Sequence, residues 1–380
     1  MILPKIKEIL NTLNFAKKSF TKGGFRHFQK YISGLISQSK KTIRKISKAA
    51  NKSNSSLNRI LNEAKFDKEK LEKRYFKKIK YLFKNAITYL LIDDTLVERN
   101  GKKIELTQKH KDHNTNSYIN GHQFFTSMIY TGFLQLPLFP ELYSSKSNSK
   151  IEMAKNIIEK LVNYGIKLDT VLFDSWYSDE KIINKCTSLG VRVICCVKTN
   201  RKIMIKKGVG YQSLSFISKR VSSQKLEKCI IDNNIYETWS SSVKLHKLPF
   251  VHLIISRDIN KKDAKNFHLI STDYNDSVEE IIRTYKIRWN IETFHRDMKQ
   301  NLGFAKAFFR QESGIVRHSI FVVLAFAVLN LIMFRSGESM TIGEYCEKLR
   351  SEAERKTIKE IVEIKEKPRR LERFEEVFKS

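Results

Sequence analysis

From residue 86 onward the chain shows three apolar runs in close succession, then two more that are each reached through a helical stretch. That order leaves few folds open. Residues 86–93, 102–107 and 122–133 read as strands, with Asn100-Gly101 as the turn signal between the first two. A helix about 149–164, a strand 169–174, a helix 178–189 and a strand 191–198 follow. Strands joined by tight turns run antiparallel, and strands joined through helices run parallel. The pattern therefore predicts an α/β chain built on one mixed sheet.

Acidic residues sit at informative places in that order. Asp93 and Asp94 close the first apolar run, and two acids at the end of a buried strand are costly unless paired or metal-bound. Asp174 ends the run Val171-Leu172-Phe173 ahead of a helix from Asp179 to Leu189, the edge at which α/β sheets bind ligands. A third acid lies in YKIRWNIETFHRDMK. There Arg288, Glu292 and Lys299 stand 3, 7 and 14 residues from Tyr285. At about 100° per residue the four fall within about a 60° arc of one helix. Singly, each feature has a plain reading as a solvated strand end, a helix cap or a charged helix face. Together, three carboxylates from two strand ends and a helix form the oxygen set that two Mg²⁺ ions require, and the neighbouring cations suit phosphates.

Between residues 199 and 274 short β-leaning runs replace the alternation, which predicts a mainly β insertion. A capping box, Ser277-x-x-Glu280, then starts the helix that stops near Gly303. The mixed sheet resembles the RNase H-like nuclease fold, with helices on both faces. In that fold the first strand carries one acid, the fourth strand ends with the second, and a late helix holds the third. More specifically, residues 86–335 resemble bacterial insertion-sequence transposases of the DDE class. The subgroup is the one with a Tyr-Arg-Glu-Lys helix preceded by an all-β insertion. The resemblance rests on Tyr285, Arg288, Glu292 and Lys299 continued by Gln300-Asn301-Leu302-Gly303, on Asp174-Ser175-Trp176-Tyr177, and on Asp93-Asp94-Thr95 taken as Asp-x-Thr.

The resemblance implies that Asp93, Asp174 and Glu292 are catalytic and bind two Mg²⁺ ions, for which Mn²⁺ can substitute. Asp94 is the alternative to Asp93, because alternation along a strand puts the two on opposite faces. Cleavage at the ends of the element would free a 3′-OH that attacks again, on the opposite strand or on target DNA. Tyr285, Arg288 and Lys299 would grip the transferred end. Lys198, Thr199, Asn200 and Arg201, which follow the fifth strand, offer a second phosphate contact. Trp239 either stacks on an extruded base, as an insertion tryptophan does in relatives, or packs within the sheet.

The 380 residues carry a formal charge of +31, which points to a polyanionic partner. Residues 1–90 hold 23 Lys and Arg against 5 Asp and Glu, and that clustering argues for DNA rather than a general compositional bias. Within them, two short helices around Asn51-Lys52-Ser53 fit either a helix-turn-helix, with Ser53–Leu61 entering the major groove, or a basic helical bundle. The expected organisation is a basic helical DNA-binding domain (1–85), the catalytic core in two parts (86–198 and 275–335) around the insertion (199–274), and a charged helical tail (336–380). The tail either dimerises the chain in a synaptic complex or stays solvated. No motif of the family transfers to residues 1–90 or 338–380.

The apolar stretch Ile320–Phe334 is too short at 15 residues to span a bilayer and reads as a core helix behind the catalytic one. The opening MILPKIKEIL lacks the shape of a signal peptide, and the five cysteines lack zinc spacing. The expectation is a cytoplasmic, nucleoid-associated protein with no membrane partner. Its DNA would be the terminal inverted repeats of its own element and a target. Two other functions use the same residues: a plain nuclease of RNase H or resolvase type, and an inactive DNA-binding relic. The N-terminal basic segment, the insertion and the Tyr-Arg-Glu-Lys helix argue against the first, and three intact acids argue against the second.

Overall fold

The computed structural model describes residues 6–50, 52–101, 103–112, 116–146, 148–206, 208, 210–221, 226–260, 266–306 and 309–365. The parts of the sequence reading that fall on residues 1–5, Asn51, Lys102 and residues 366–380 lie outside the described residues. The chain forms two compact units. One comprises residues 76–102 and 106–295, the other residues 1–75, 103–105 and 296–380.

The described residues open with five α-helices, α1 (Ile6–Thr12), α2 (Lys22–Ser37), α3 (Ile43–Ala49), α4 (Asn54–Asn62) and α5 (Lys68–Leu82), with a 3-10 helix (Leu13–Ser19) after the first. The sheet begins with β1 (Tyr89–Glu98), β2 (Gln108–Asp112), β3 (Ser117–Tyr130), β4 (Gln135–Pro137) and β5 (Glu141–Tyr143). It continues through α6 (Lys150–Asn163), β6 (Thr170–Phe173), α7 (Glu180–Ser188) and β7 (Arg192–Cys196). β8 (Lys202–Met204), β9 (Gln212–Ser213), α8 (Leu214–Val221), β10 (Glu227–Ile231), β11 (Asn234–Leu245), β12 (Phe250–Asp258) and β13 (Phe267–Ser271) follow. The chain closes with α9 (Val278–Lys286), α10 (Trp289–Gln300), α11 (Glu312–Ser336) and α12 (Ile342–Lys365).

All the strands among the described residues belong to one sheet, with the path β2-β3-β1-β6-β7-β13-β12-β11-β8-β9. β1 is antiparallel to β3 and parallel to β6, and β6 is parallel to β7. Beyond β7 every pairing is antiparallel. The parallel centre is almost wholly apolar, because strands covered on both faces must be: Leu90, Leu91, Ile92, Val171, Leu172, Phe173, Val193 and Ile194 are buried.

Several details depart from the sequence reading. β1 does not stop at Asp93-Asp94 but runs on to Glu98, still paired with Gly121 of β3. Both aspartates find partners, Asp94 in Lys150 and Gln123 and Asp93 in Arg288, so the charges need not end the strand. Residues 102–107 form no strand: the described part is turn and irregular, and Leu106 takes a φ of 57° that no strand tolerates. Asn100-Gly101 therefore closes no hairpin, and β2 pairs with β3 instead of β1. Residues 199–274 include a helix, α8, and their strands continue the central sheet through β13 on β7.

The helix expected from Ser277 to Gly303 is broken. Ser277 caps α9 by accepting from Glu280 N at 3.1 Å, while Glu280 itself accepts from Arg192 at 2.8 Å. At the joint the backbone tightens into three-residue turns: Arg288 N donates to Tyr285 O (3.0 Å) and Ile291 N to Arg288 O (3.1 Å). The Asn290 side chain also claims Ile287 O at 2.8 Å. Tyr285 thus stands on α9, Arg288 in the joint, and Glu292 and Lys299 on α10. One helical arc does not hold all four.

Gly121 of β3 lies against the backbone of β1 at Val97 and Glu98. A Cβ there would lie 2.3 Å from Val97 O and 3.1 Å from Glu98 Cα, both backbone. Neither neighbour can rotate away. Gly121→Ala is expected to cost about 2–3 kcal/mol, read as a lower denaturant midpoint, because only parting the two strands relieves the overlap.

In the other unit α11 packs against α1, α2, α4 and α12, so the N-terminal helices supply its main cover. It runs for 25 residues and ends on Gly337 at a φ of 64°. It is long and apolar enough to cross a membrane, unlike the shorter stretch read from the sequence, yet 83% of its most apolar window is buried within the protein. Phe28 meets Phe321 edge-on at 4.9 Å, and Phe20 stacks on Phe66 at 5.0 Å. The Tyr31 hydroxyl donates to His318 Nδ1 (2.8 Å), whose other nitrogen donates to Gly303 O (3.1 Å). α12 is not a solvated tail at its start, since Ile342, Tyr345, Leu349 and Ala353 bury a stripe at helical spacing.

Candidate active site

Strand register brings the first two acids side by side. Ile92 of β1 lies opposite Phe173 of β6, so Asp93 and Asp174 are the next residues along parallel neighbours. Asp174 accepts on Oδ1 from Trp176 N (2.9 Å) and Tyr177 N (3.3 Å), a tight turn that fixes the carboxylate as the chain leaves β6. Asp179, rather than Asp174, caps α7.

Asp93 and Asp94 face opposite sides of β1 and have different partners. Asp94 is paired with Lys150, the first residue of α6, at 2.7 Å, and Gln123 of β3 donates to it as well. On the other face Arg288 Nη1 lies 3.7 Å from Asp93 Oδ2, and the same guanidinium pairs closely with Glu292. Helices therefore cover both faces of β1. Thr126 of β3 donates to Asp93 O at 3.0 Å and accepts from His295 of α10 at 2.7 Å, which ties the middle of α10 to the strand. Glu292 lies in the first turn of α10, where the helix dipole favours a carboxylate.

Burial pushes the Asp93 carboxyl up to about 7. The negative charges of Asp94 and Asp174 add to the rise, while a bond from Asp94 N and the nearby Arg288 oppose it. Burial would lower Arg288, but Tyr285, Glu292 and Asp93 outweigh it and raise its pKa, so it stays charged. Burial also raises the Tyr285 phenol, with Cys196 close by, so the group remains a donor.

Among the described residues no three carboxylate, imidazole or thiol groups are gathered closely enough to share a metal ion. Arg288 stands between Asp93 and Glu292, where it compensates both. Two observations nevertheless fit a cation. Asp93 is a buried carboxyl crowded by two others. The hydroxyl of Tyr177 is buried without a hydrogen-bond partner among the described residues, within electrostatic reach of Asp94, Asp93 and Asp174. The donor set suits a hard cation once Arg288 releases a carboxylate.

The remaining sequence-derived residues are distributed as follows. Lys198 and Arg201 line a cleft of about 460 Å³ beside Asp174, together with Trp176, Asn200, Lys202 and Lys247. Trp239 of β11 lines a separate cavity of about 260 Å³ with the apolar Ile203, Ile217 and Val221 and the polar Lys206, Gln212 and Arg220. Lys299 follows Glu292 on α10, in the part of that helix assigned to the other compact unit. Lys150, Gln123 and His295 escaped the sequence reading, whereas Tyr177 entered it as the last residue of the Asp174-Ser175-Trp176-Tyr177 segment.

The mixed α/β fold as a whole is similar to that of a solved structure. That structure, a cryo-EM synaptic complex of piggyBac transposase with hairpin DNA, aligns with a TM-score of 0.51 at 12% identity, over 91% of this chain and 76% of that one. A family described as "DDE superfamily endonuclease" matches residues 17–150. Another, described as "Archaeal putative transposase ISC1217", matches residues 141–337, just over half of the chain. The chain belongs to that transposase family of the DDE superfamily. It is also 28% identical over 195 residues to the "Probable transposase for insertion sequence element IS701" of Microchaete diplosiphon, over 48% of this chain and 51% of that protein. The chain thus spans about half the length of this curated relative.

Proposed function

We propose that the chain is the DNA transposase of an insertion sequence. It cleaves phosphodiester bonds at the ends of the element and joins the freed 3′-OH ends to target DNA. The observation that carries this reading is the Asp93–Arg288–Glu292 link with Asp174 alongside, in a chain of this family. The Tyr285, Arg288, Glu292 and Lys299 spacing supports placing it in the Tyr-Arg-Glu-Lys subgroup.

Asp93, Asp174 and Glu292 would hold two Mg²⁺ ions, with Mn²⁺ as a substitute. Asp94 is less suited, being taken by Lys150. When bound, such ions supply charge relief at the leaving 3′ oxygen and acidify an attacking water. The turn after Asp174 holds that carboxylate, and the bond from Thr126 to the Asp93 backbone carbonyl fixes the strand that carries the other, before DNA arrives. Arg288, once released, is positioned to pair with a phosphate, and the protonated Tyr285 can donate to one. Lys198 and Arg201 extend the same track. α3 and α4, with Ser53 capping the second helix, support a DNA-reading role for the basic N-terminal helices. The reading includes the inverted repeats of the element and a target as partners, a homodimer in the synaptic complex, and a nucleoid-associated, cytoplasmic location.

The test uses the full chain, a duplex carrying the inverted repeats that flank its reading frame, and a supercoiled target. Joined product should form with Mg²⁺, fail with a chelator, and disappear with Asp174→Asn. Cleavage without any joining would instead mark a plain nuclease. The same gel distinguishes nicked from hairpin ends.

A further inference from the structure

Resting on the transposase reading, we propose that the cleft beside Asp174 receives one unpaired nucleotide of a DNA strand. The base stacks on Trp176, and the phosphate is held by Lys198, Arg201 and Lys202.

Trp176 lies two residues beyond Asp174 and is 40% exposed. It is nonetheless held. The Lys150 ammonium sits 3.9 Å from the centre of the indole ring, and Lys150 is itself fixed by Asp94 at 2.7 Å and largely buried. A large aromatic surface anchored in this way needs no ordering when a ligand stacks on it. The cleft it lines has a volume of about 460 Å³, on the scale of a single nucleotide rather than a base-paired segment.

The charge balance of the cleft is set by its partners. Lys198, Arg201, Lys202 and Lys247 contribute four cations. Two acids share the cleft, Asp179, which accepts from Lys181 N as the cap of α7, and Glu180, which pairs with Lys247 at 3.6 Å, so positive charge stays in excess. Arg201 also donates to Ser178 O, which ties the loop after β7 to the turn that carries Trp176. A fixed indole beside cations that outnumber the acids is the pairing that grips single strands, because a base within a duplex hides its faces. The place of the cleft directly after Asp174 assigns it to a nucleotide neighbouring the phosphate that is cut.

Binding is tested on the full chain without divalent cations. Fluorescein-labelled (dT)8, (U)8 and a 20-base-pair duplex serve as probes, and anisotropy as the readout. Trp176→Ala should weaken (dT)8 about 5- to 150-fold, the effect expected of losing one stacked base. Trp176→Phe should stay within about threefold of the parent, and duplex affinity within about twofold, which also shows that both variants are folded. An unchanged (dT)8 affinity in Trp176→Ala, or an equal loss for duplex and single strand, would overturn the proposal. Tighter binding of (U)8 than of (dT)8 would overturn the assignment to DNA. The two readings fail separately: an inert Trp176→Ala with strand joining intact refutes the nucleotide pocket alone, and a selective Trp176→Ala defect without any joining refutes the transposase alone.

Discussion

Glu292→Gln is expected to depress cleavage at the element ends by about a thousand-fold or more, while duplex binding stays within about twofold of the parent. The amide keeps the size of the side chain and its ability to accept from Arg288, so the joint between α9 and α10 should persist. Glu292 is about one-third exposed, so the loss of this ion pair should change stability by less than about 1 kcal/mol. What disappears is the anionic charge that would hold a cation opposite Asp93. Because the acids act as a unit, adding Asp174→Asn to Glu292→Gln should cost little more than either change alone. Single-turnover nicking of an end-labelled duplex measures both. Normal nicking by Glu292→Gln would remove this residue from the site.

The second large effect concerns Asp93 and has the opposite sign for stability. Its folded-state pKa of about 7 lies above the ordinary carboxyl value of 3.8. Between those two pH values the folded chain binds a proton more tightly than the unfolded chain. The carboxyl therefore costs nothing below about pH 4, an increasing amount as pH rises, and its full amount above about pH 7. Asp93→Asn removes this cost and keeps an acceptor for Asp94 N. The variant should be more stable than the parent by on the order of 2–4 kcal/mol at pH 8, with the difference vanishing near pH 4. It should also be inactive, a trade of function for stability. Thermal melts across pH read the first effect. Added Mg²⁺ should raise the melting temperature of the parent at pH 8 and leave that of Asp93→Asn in place. A variant less stable than the parent at pH 8 would contradict this account.

The sequence made the central strands, α6 and α7 legible because apolar periodicity and capping act locally: Val171-Leu172-Phe173 and the Asp179 cap are visible without any partner. The three acids were legible as candidates for the same reason. What decides their state was not, because it is set across the sheet. Lys150 reads as an ordinary first residue of a helix until α6 is laid on β1, where it meets Asp94. Arg288 reads as one more cation on a stripe until the joint at residues 287–288 turns it between Asp93 and Glu292. Asn100-Gly101 is a sound local turn signal, but pairing is decided by which strands bury the most surface, and β3 won both neighbours. The return of β13 to β7 joins residues more than 70 positions apart, and no local pattern records it.

That return has a practical consequence for anyone who would trim the chain. Residues 199–274 cannot be lifted out as a module. β13 covers the open side of β7, whose central residues Val193, Ile194 and Cys195 are fully enclosed. A shortened protein would bare a row of unpaired amides and carbonyls along an apolar ribbon, the geometry that recruits a neighbouring molecule into aggregates.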